Sequence, residues 1–148
     1  MGTRRIAREQ ALQALFFLDM QREPVDDPVG QFCRCFSQDK PVEPFFHRLV
    51  EGVRENRATI DDVIERFSSN WKISRMSCVD RNVLRIAVFE LLFCADIPPK
   101  VSINEAIDVG KRFGTEESGA FINGILDSIR MAIDRHEVAC VPKGDDEA

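Results

Sequence analysis

The chain has 148 residues, 44% hydrophobic and 30% charged, enough for one packed core and ordinary for a globular domain. Its net charge of −5 argues against general affinity for nucleic acid, because phosphate attraction comes from clustered Lys and Arg. No run approaches the roughly 18 apolar residues of a membrane span, and residues 1–8 lack the apolar block of a signal peptide, so the expected location is cytoplasmic.

A 3.6-residue period runs through nearly the whole sequence. Over 3–21 it aligns Ala7, Ala11, Ala14 and Leu18, with Leu15 beside them, which predicts an amphipathic helix. Residues 23–28 read as a loop and 29–36 as a short helix. Pro44 fits the first turn of the next helix, which turns Phe45, Phe46, Leu49, Val50 and Val53 inward. Another follows, carrying Ile60, Val63, Ile64 and Phe67. The pattern breaks at 68–77. Residues 79–95 are apolar around most of the helix circumference, as in a central helix covered by others. Pro98-Pro99 ends that segment. Ser102-x-x-Glu105 reads as a capping box for a helix through Phe113, with Gly114 as a left-handed stop. Thr115 is placed to cap the last helix, built on Ile122, Ile125, Leu126, Ile129 and Ile133. These elements predict an all-α fold of six or seven helices in two packed bundles. It forms a single domain over 1–135, subdivided near 68–77, and the acidic tail 136–148 is expected to be disordered.

No catalytic constellation is present. Glycine-rich phosphate loops, G-x-S-x-G, H-E-x-x-H and C-x-x-C are all missing, and Cys33-x-Cys35 alone is a poor metal signal. Neither enzyme activity nor a metal or cofactor is expected. The residues with functional character are basic. Arg4 and Arg8 lie about 40° apart on a helix and Arg5 about 100° from Arg4, so the three guanidiniums crowd one side. Like charges at i,i+4 repel unless an anion relieves them, so this run favours phosphate, and removing Arg5 and Arg8 is expected not to cost stability. Lys111, Arg112 and Phe121 form a second candidate group. Periodicity puts Phe121 at the margin of the inward stripe, where it either borders the core or stacks on a base. Arg81 and Arg85 need partners if buried, with Glu90 and Glu105 the expected ones, and are not assigned to RNA.

The run Arg4-Arg5-x-Ala7-Arg8-Glu9-x-Ala11-x-Gln13-Ala14-Leu15-Phe16 resembles the opening of the bacterial NusB family of transcription antitermination factors. The resemblance continues through Val83-Leu84-Arg85-Ile86-Ala87, Ile97-Pro98-x-Lys100-Val101-x-Ile103-Asn104-Glu105-Ala106-Ile107 and Phe121-Ile122-Asn123-Gly124-Ile125-Leu126-Asp127. It implies two three-helix bundles and a non-catalytic function. The implied partners are NusE, a small-subunit ribosomal protein, and boxA RNA of ribosomal RNA leaders, in a complex that helps RNA polymerase resist termination. It also implies RNA contacts at Arg4, Arg5, Arg8, Phe16, Lys111 and Phe121, with Glu117 nearby. Ile6 stands where some members carry another arginine, and Phe16 and Phe89 where tyrosine is common. Gly110 replaces a usual alanine, at about 1 kcal/mol of helix propensity. Two other readings are weighed. One is a protein-interaction module or homodimer that hides its arginines. The other, an RNA methyltransferase with a NusB-like domain, needs a cofactor domain for which the chain has no room.

Overall fold

The computed structural model describes residues 3–21, 27, 29, 32, 44–69 and 71–140. Among them are six α-helices and no strand: α1 (Thr3–Met20), α2 (Pro44–Glu55), α3 (Arg57–Arg66), α4 (Cys78–Phe93), α5 (Pro99–Phe113) and α6 (Ser118–Asp134). Of the short helix expected over 29–36, only Val29 and Phe32 are described, both buried; the rest lies outside the described residues. No described helix is long and apolar enough to cross a membrane.

Helix α4 organises the packing. Every residue from Asn82 to Leu92 is buried, and the helix lies against each of the other five. Residues 68–77 lie between α1–α3 and α4–α6, but α3 leans more on α4 than on α2, so both halves share one central helix. Ala7, Ala11 and Ala14 have no exposed surface. Their small side chains let α1 lie close to α2 and α4.

Several helix ends differ from the expected caps. Helix α4 opens on Ser77, whose Oγ accepts the Asp80 N–H at 3.0 Å. Helix α5 begins at Pro99, three residues before the expected capping box, because proline at the first position already suits a helix start. Ser102 and Glu105 are thereby freed for tertiary contacts. Gly114 is not left-handed (φ −103°). Its missing Cβ matters instead, since a side chain there would collide with Ser118 Oγ. Ser118 Oγ accepts the Thr115 N–H at 2.9 Å and closes the turn that Thr115 was expected to cap. Gly110 likewise lets Ile122 approach, so its propensity cost is offset by packing of α6 on α5.

The chain does not lose order at Arg135. His136 adopts φ 61°, and the Glu137 and Val138 N–H groups both donate to the Ala132 carbonyl, at 2.8 and 3.4 Å. Val138 is buried, and the Cys140 thiol reaches the Leu91 carbonyl. Residues 136–140 therefore fold back onto the helices, correcting the expectation of a tail from 136; residues 141–148 lie outside the described residues.

Gly52 is buried on α2 with the edge of the Phe89 ring set where a Cβ would stand. A ring packed in a core cannot move aside cheaply. Gly52→Ala should therefore destabilise the fold by about 1–3 kcal/mol despite alanine's better helix propensity. Adding Phe89→Leu should recover part of that loss. Urea unfolding of the two variants checks this, and an unchanged or stabilised Gly52→Ala would contradict the packing argument.

Candidate nucleic-acid interface

The arginine run does not form a uniform basic face. Arg8 is 5% exposed, with its guanidinium turned inward onto α4. Nε and Nη2 donate to the two Glu90 oxygens, both at 2.8 Å, and Ser102 Oγ donates to Glu90 Oε1 at 2.6 Å. The ring of Phe45 packs against the same guanidinium, 5.1 Å away. Each end of this buried pair is satisfied, so Arg8 acts as a strut between α1 and α4, unlike the solvent-facing phosphate ligand the local spacing suggests.

Arg5 faces α5. Its Nε and Nη2 donate to Glu105 at 2.9 and 2.7 Å, and Nη2 also donates to Asp108 Oδ2 at 2.7 Å. Those hydrogen bonds push the Arg5 pKa upward and hold Glu105 below its ordinary 4.5. Arg4 is the most open of the three. It rests over the Phe45 ring at 4.6 Å and comes within 3.8 Å of Asp96, which Arg48 also binds at 2.7 Å. A cleft of about 470 Å³ lies among Arg4, Arg5, Ile97, Pro98, Val101 and Glu105, with Arg8 at its wall.

Contacts between α1 and α5 advance together along both helices. Arg5 meets Glu105 and Asp108, Glu9 accepts from Arg112 at 2.9 Å, and Phe16 shares a groove with Phe113. The two helices thus run side by side in the same direction. Arg5 and Phe16 are separated by about 16 Å at 1.5 Å per residue. Phe16 is 42% exposed in an apolar groove of about 540 Å³ that Met20 and Val79 also line. Lys111 is exposed, its stem lying along Gly119 of α6.

Beyond the start of α4 the surface changes character. Trp71 and Phe121 meet edge to face, ring centres 6.4 Å apart, in a cleft of about 230 Å³ with Arg75, Asp80 and Glu117. Trp71 is 51% exposed, whereas Phe121 is half-buried and packs partly against the core. Phe121 thus borders the core and leaves part of its ring open to the cleft. The loop holding Trp71 is well braced. Ser68 Oγ donates to the Trp71 carbonyl at 2.8 Å, and Glu65 accepts the Ile73 N–H at 2.8 Å. Ser118 Oγ donates to Asp80 at 2.7 Å, tying α6 to the start of α4. Trp71 and Arg75 are the residues the sequence reading missed. The signal was there: the chain's single tryptophan stands in a polar break, where packing alone does not call for it.

Arg85 is internal and Arg81 half-buried, and both have partners other than the expected ones. Arg85 is 2% exposed and binds Asp61 through Nε at 2.8 Å and Nη2 at 3.1 Å. Arg81 donates to Asp19 at 3.0 Å. Glu90 and Glu105 are unavailable to them because Arg8 and Arg5 hold both. Burial works against the Asp19 charge, yet hydrogen bonds from Asn82 and Arg81 and the nearby Arg85 charge keep its pKa below 3.8. Burial pushes the Cys94 thiol up to about 11. Among the described residues no group of His, Cys, Asp or Glu is placed to hold a metal.

Removing Arg8 would leave Glu90 charged and buried without its partner. Arg8→Ala should cost about 3–5 kcal/mol, and Arg8→Ala with Glu90→Ala less than Arg8→Ala alone. Arg4→Ala should cost under about 1 kcal/mol. Equilibrium unfolding of the three variants decides it; equal effects for Arg4 and Arg8 would refute the strut.

Acid provides a second check. Glu105 and Asp19 both have folded pKa values below their unfolded ones, so the stability they contribute is complete above about pH 4.5 and disappears as pH falls through the folded values. Unfolding free energies measured between pH 6 and pH 3 should stay level and then decline. The decline should be shallower in Glu105→Gln.

Comparison with known proteins agrees with this architecture. Residues 5–131 match the sequence model of the NusB family. The transcription antitermination protein NusB of Desulfatibacillum aliphaticivorans is 55% identical over 139 residues, covering 94% of this chain and 97% of the relative. The solved structure of T. maritima NusB superposes with a TM-score of 0.77 at 41% identity, covering 91% of this chain and 97% of that one. A structure of antitermination factors NusB and NusE in complex with dsRNA is also similar, with a TM-score of 0.77, 28% identity, and coverage of 89% and 98%.

Proposed function

The chain belongs to the NusB family, and we propose that it works as a non-catalytic antitermination factor that binds RNA of the boxA type together with NusE. The observation that carries this reading to particular residues is a set of three clefts, at Arg4 and Arg5, at Phe16 and Phe113, and at Trp71 and Phe121, that differ in chemistry. At the α1 end, Arg4 and Arg5 suit phosphate. In the middle, Phe16 and Phe113 line an apolar groove. At the far end, Trp71 and Phe121 present aromatic faces beside Glu117 and Asp80. Carboxylates repel phosphate and accept hydrogen bonds from base amines, so this end suits unstacked bases. Exposed Lys111 supplies positive charge between these clefts, Arg112 being paired with Glu9, and Arg8 braces α1 against α4 beneath them.

This reading puts base recognition where stacking residues are and backbone recognition where arginines are. Trp71→Ala should weaken binding of labelled single-stranded boxA RNA by about 1–3 kcal/mol while leaving the melting temperature nearly unchanged, since the ring is half open to solvent. Phe121→Ala should lower both, because that ring also touches the core. Titrations with and without NusE, and with duplex RNA of the same sequence, should show the strongest binding in the NusE arm. Unchanged affinity in Trp71→Ala, with and without NusE, would remove the aromatic cleft from the interface. Absence of RNA binding in every arm would instead favour the protein-interaction or homodimer reading.

A further inference from the structure

We propose that Asp108 sits in place of an RNA phosphate on Arg5 and so sets how strongly the arginine end holds RNA; this rests on the RNA reading above. Arg5 carries one positive charge and is bound by two carboxylates. The two are not equivalent. Glu105 grips the guanidinium edge-on through both oxygens, its side chain is 20% exposed, and Arg8 Nη1 lies 3.7 Å away. That grip fixes the plane of Arg5. Asp108 touches only Nη2, through one oxygen at 2.7 Å, and its side chain is 51% exposed. It adds charge where neutralisation is already complete, and from the solvent side.

An anion approaching Arg5 from solvent therefore meets Asp108 first. A phosphodiester oxygen has the same charge and hydrogen-bonding capacity as the Asp108 oxygen and can take its place on Nη2 while Glu105 keeps the guanidinium oriented. In that exchange Asp108 is released to water and regains counterions, so the new phosphate contact yields little net counterion release. Its neighbours already have partners. Arg112 is bound by Glu9, and Arg4 lies near Asp96. The face is thus held near neutrality, and Asp108 is the carboxylate whose removal uncovers a preoriented guanidinium without breaking a buried contact.

The test uses the full chain, a labelled single-stranded boxA RNA, and a series of salt concentrations. Asp108→Asn should tighten binding by about two- to fivefold. It should also steepen the log–log salt slope by about 0.7, the value for one further phosphate contact on a single strand. Asp62→Asn removes the same charge from α3 and should change neither. In an Arg5→Ala background, Asp108→Asn should gain nothing. Melting temperatures confirm that each variant is folded. Equal tightening with and without Arg5 would overturn the proposal in favour of a general charge effect. If Arg5→Ala weakens binding and Asp108→Asn leaves it unchanged or weaker, the proposal fails while the RNA reading stands. If neither change affects RNA binding, the arginine end is not an RNA contact and the proposal fails; absence of RNA binding by the unaltered chain would instead defeat the RNA reading itself.

Discussion

Three helices meet at the carboxylate of Glu90. The residue belongs to α4, accepts both hydrogen bonds of Arg8 from α1, and takes the Ser102 hydroxyl from α5. At 1% exposure it has no water to solvate it, so its charge is tolerable only while those donors are in place. Withdrawing two charges from water costs much of what their attraction returns, so the pair fixes register more than it adds net stability. Apolar stripes can slide past one another by a fraction of a turn; a bidentate guanidinium cannot. Because Arg8 is pinned, Arg4 and Arg5, one turn earlier, are set over Asp96 and over the middle of α5. The proposed binding surface inherits its geometry from this buried contact.

The helices and most of the core were legible from periodicity, since burial of one face imposes a 3.6-residue pattern that any long helix displays. Polar pairings were not. Arg8 and Glu90 lie 82 residues apart and Arg5 and Glu105 lie 100 apart, so local spacing shows only the repulsion among arginines. The same blindness explains Ser102 and Glu105. Their spacing imitates a capping box, yet Pro99 had already started the helix and both side chains serve neighbours across the core. Periodicity placed Phe121 at the margin of the inward stripe, whereas Phe16 and Glu117 were named only by the family resemblance. Neither could show that Phe16 and Phe121 occupy different clefts, nor that Trp71 faces Phe121, because those facts depend on how α4 and α6 are set against the connecting loop.

On the proposed function, an acidic protein that binds RNA faces an electrostatic difficulty, which this fold would meet locally. Arg4, Arg5 and Arg112 all have carboxylates close by, so this surface offers little unbalanced charge to attract nucleic acid of arbitrary sequence. Long-range attraction and counterion release, the sequence-independent part of affinity, are correspondingly small. In the proposed function what remains is contact-dependent: stacking on Trp71 and Phe121, and exchange of a carboxylate for a phosphate at Arg5. Both would need the RNA already in register.

Such a surface pairs naturally with a second RNA-binding subunit. Stacking and one exchangeable phosphate contact amount to a few kcal/mol at most. That is far less than the 8 kcal/mol or so of a micromolar complex once the entropy of association is also met. A partner holding another part of the same RNA makes the second contact intramolecular, and the effective concentration it supplies adds affinity without any new charge on this chain. On the proposed function, neutrality of the arginine end and dependence on NusE would be two aspects of one arrangement. The paired arginines would keep solitary binding weak, and that weakness would make the partner decide when RNA is held.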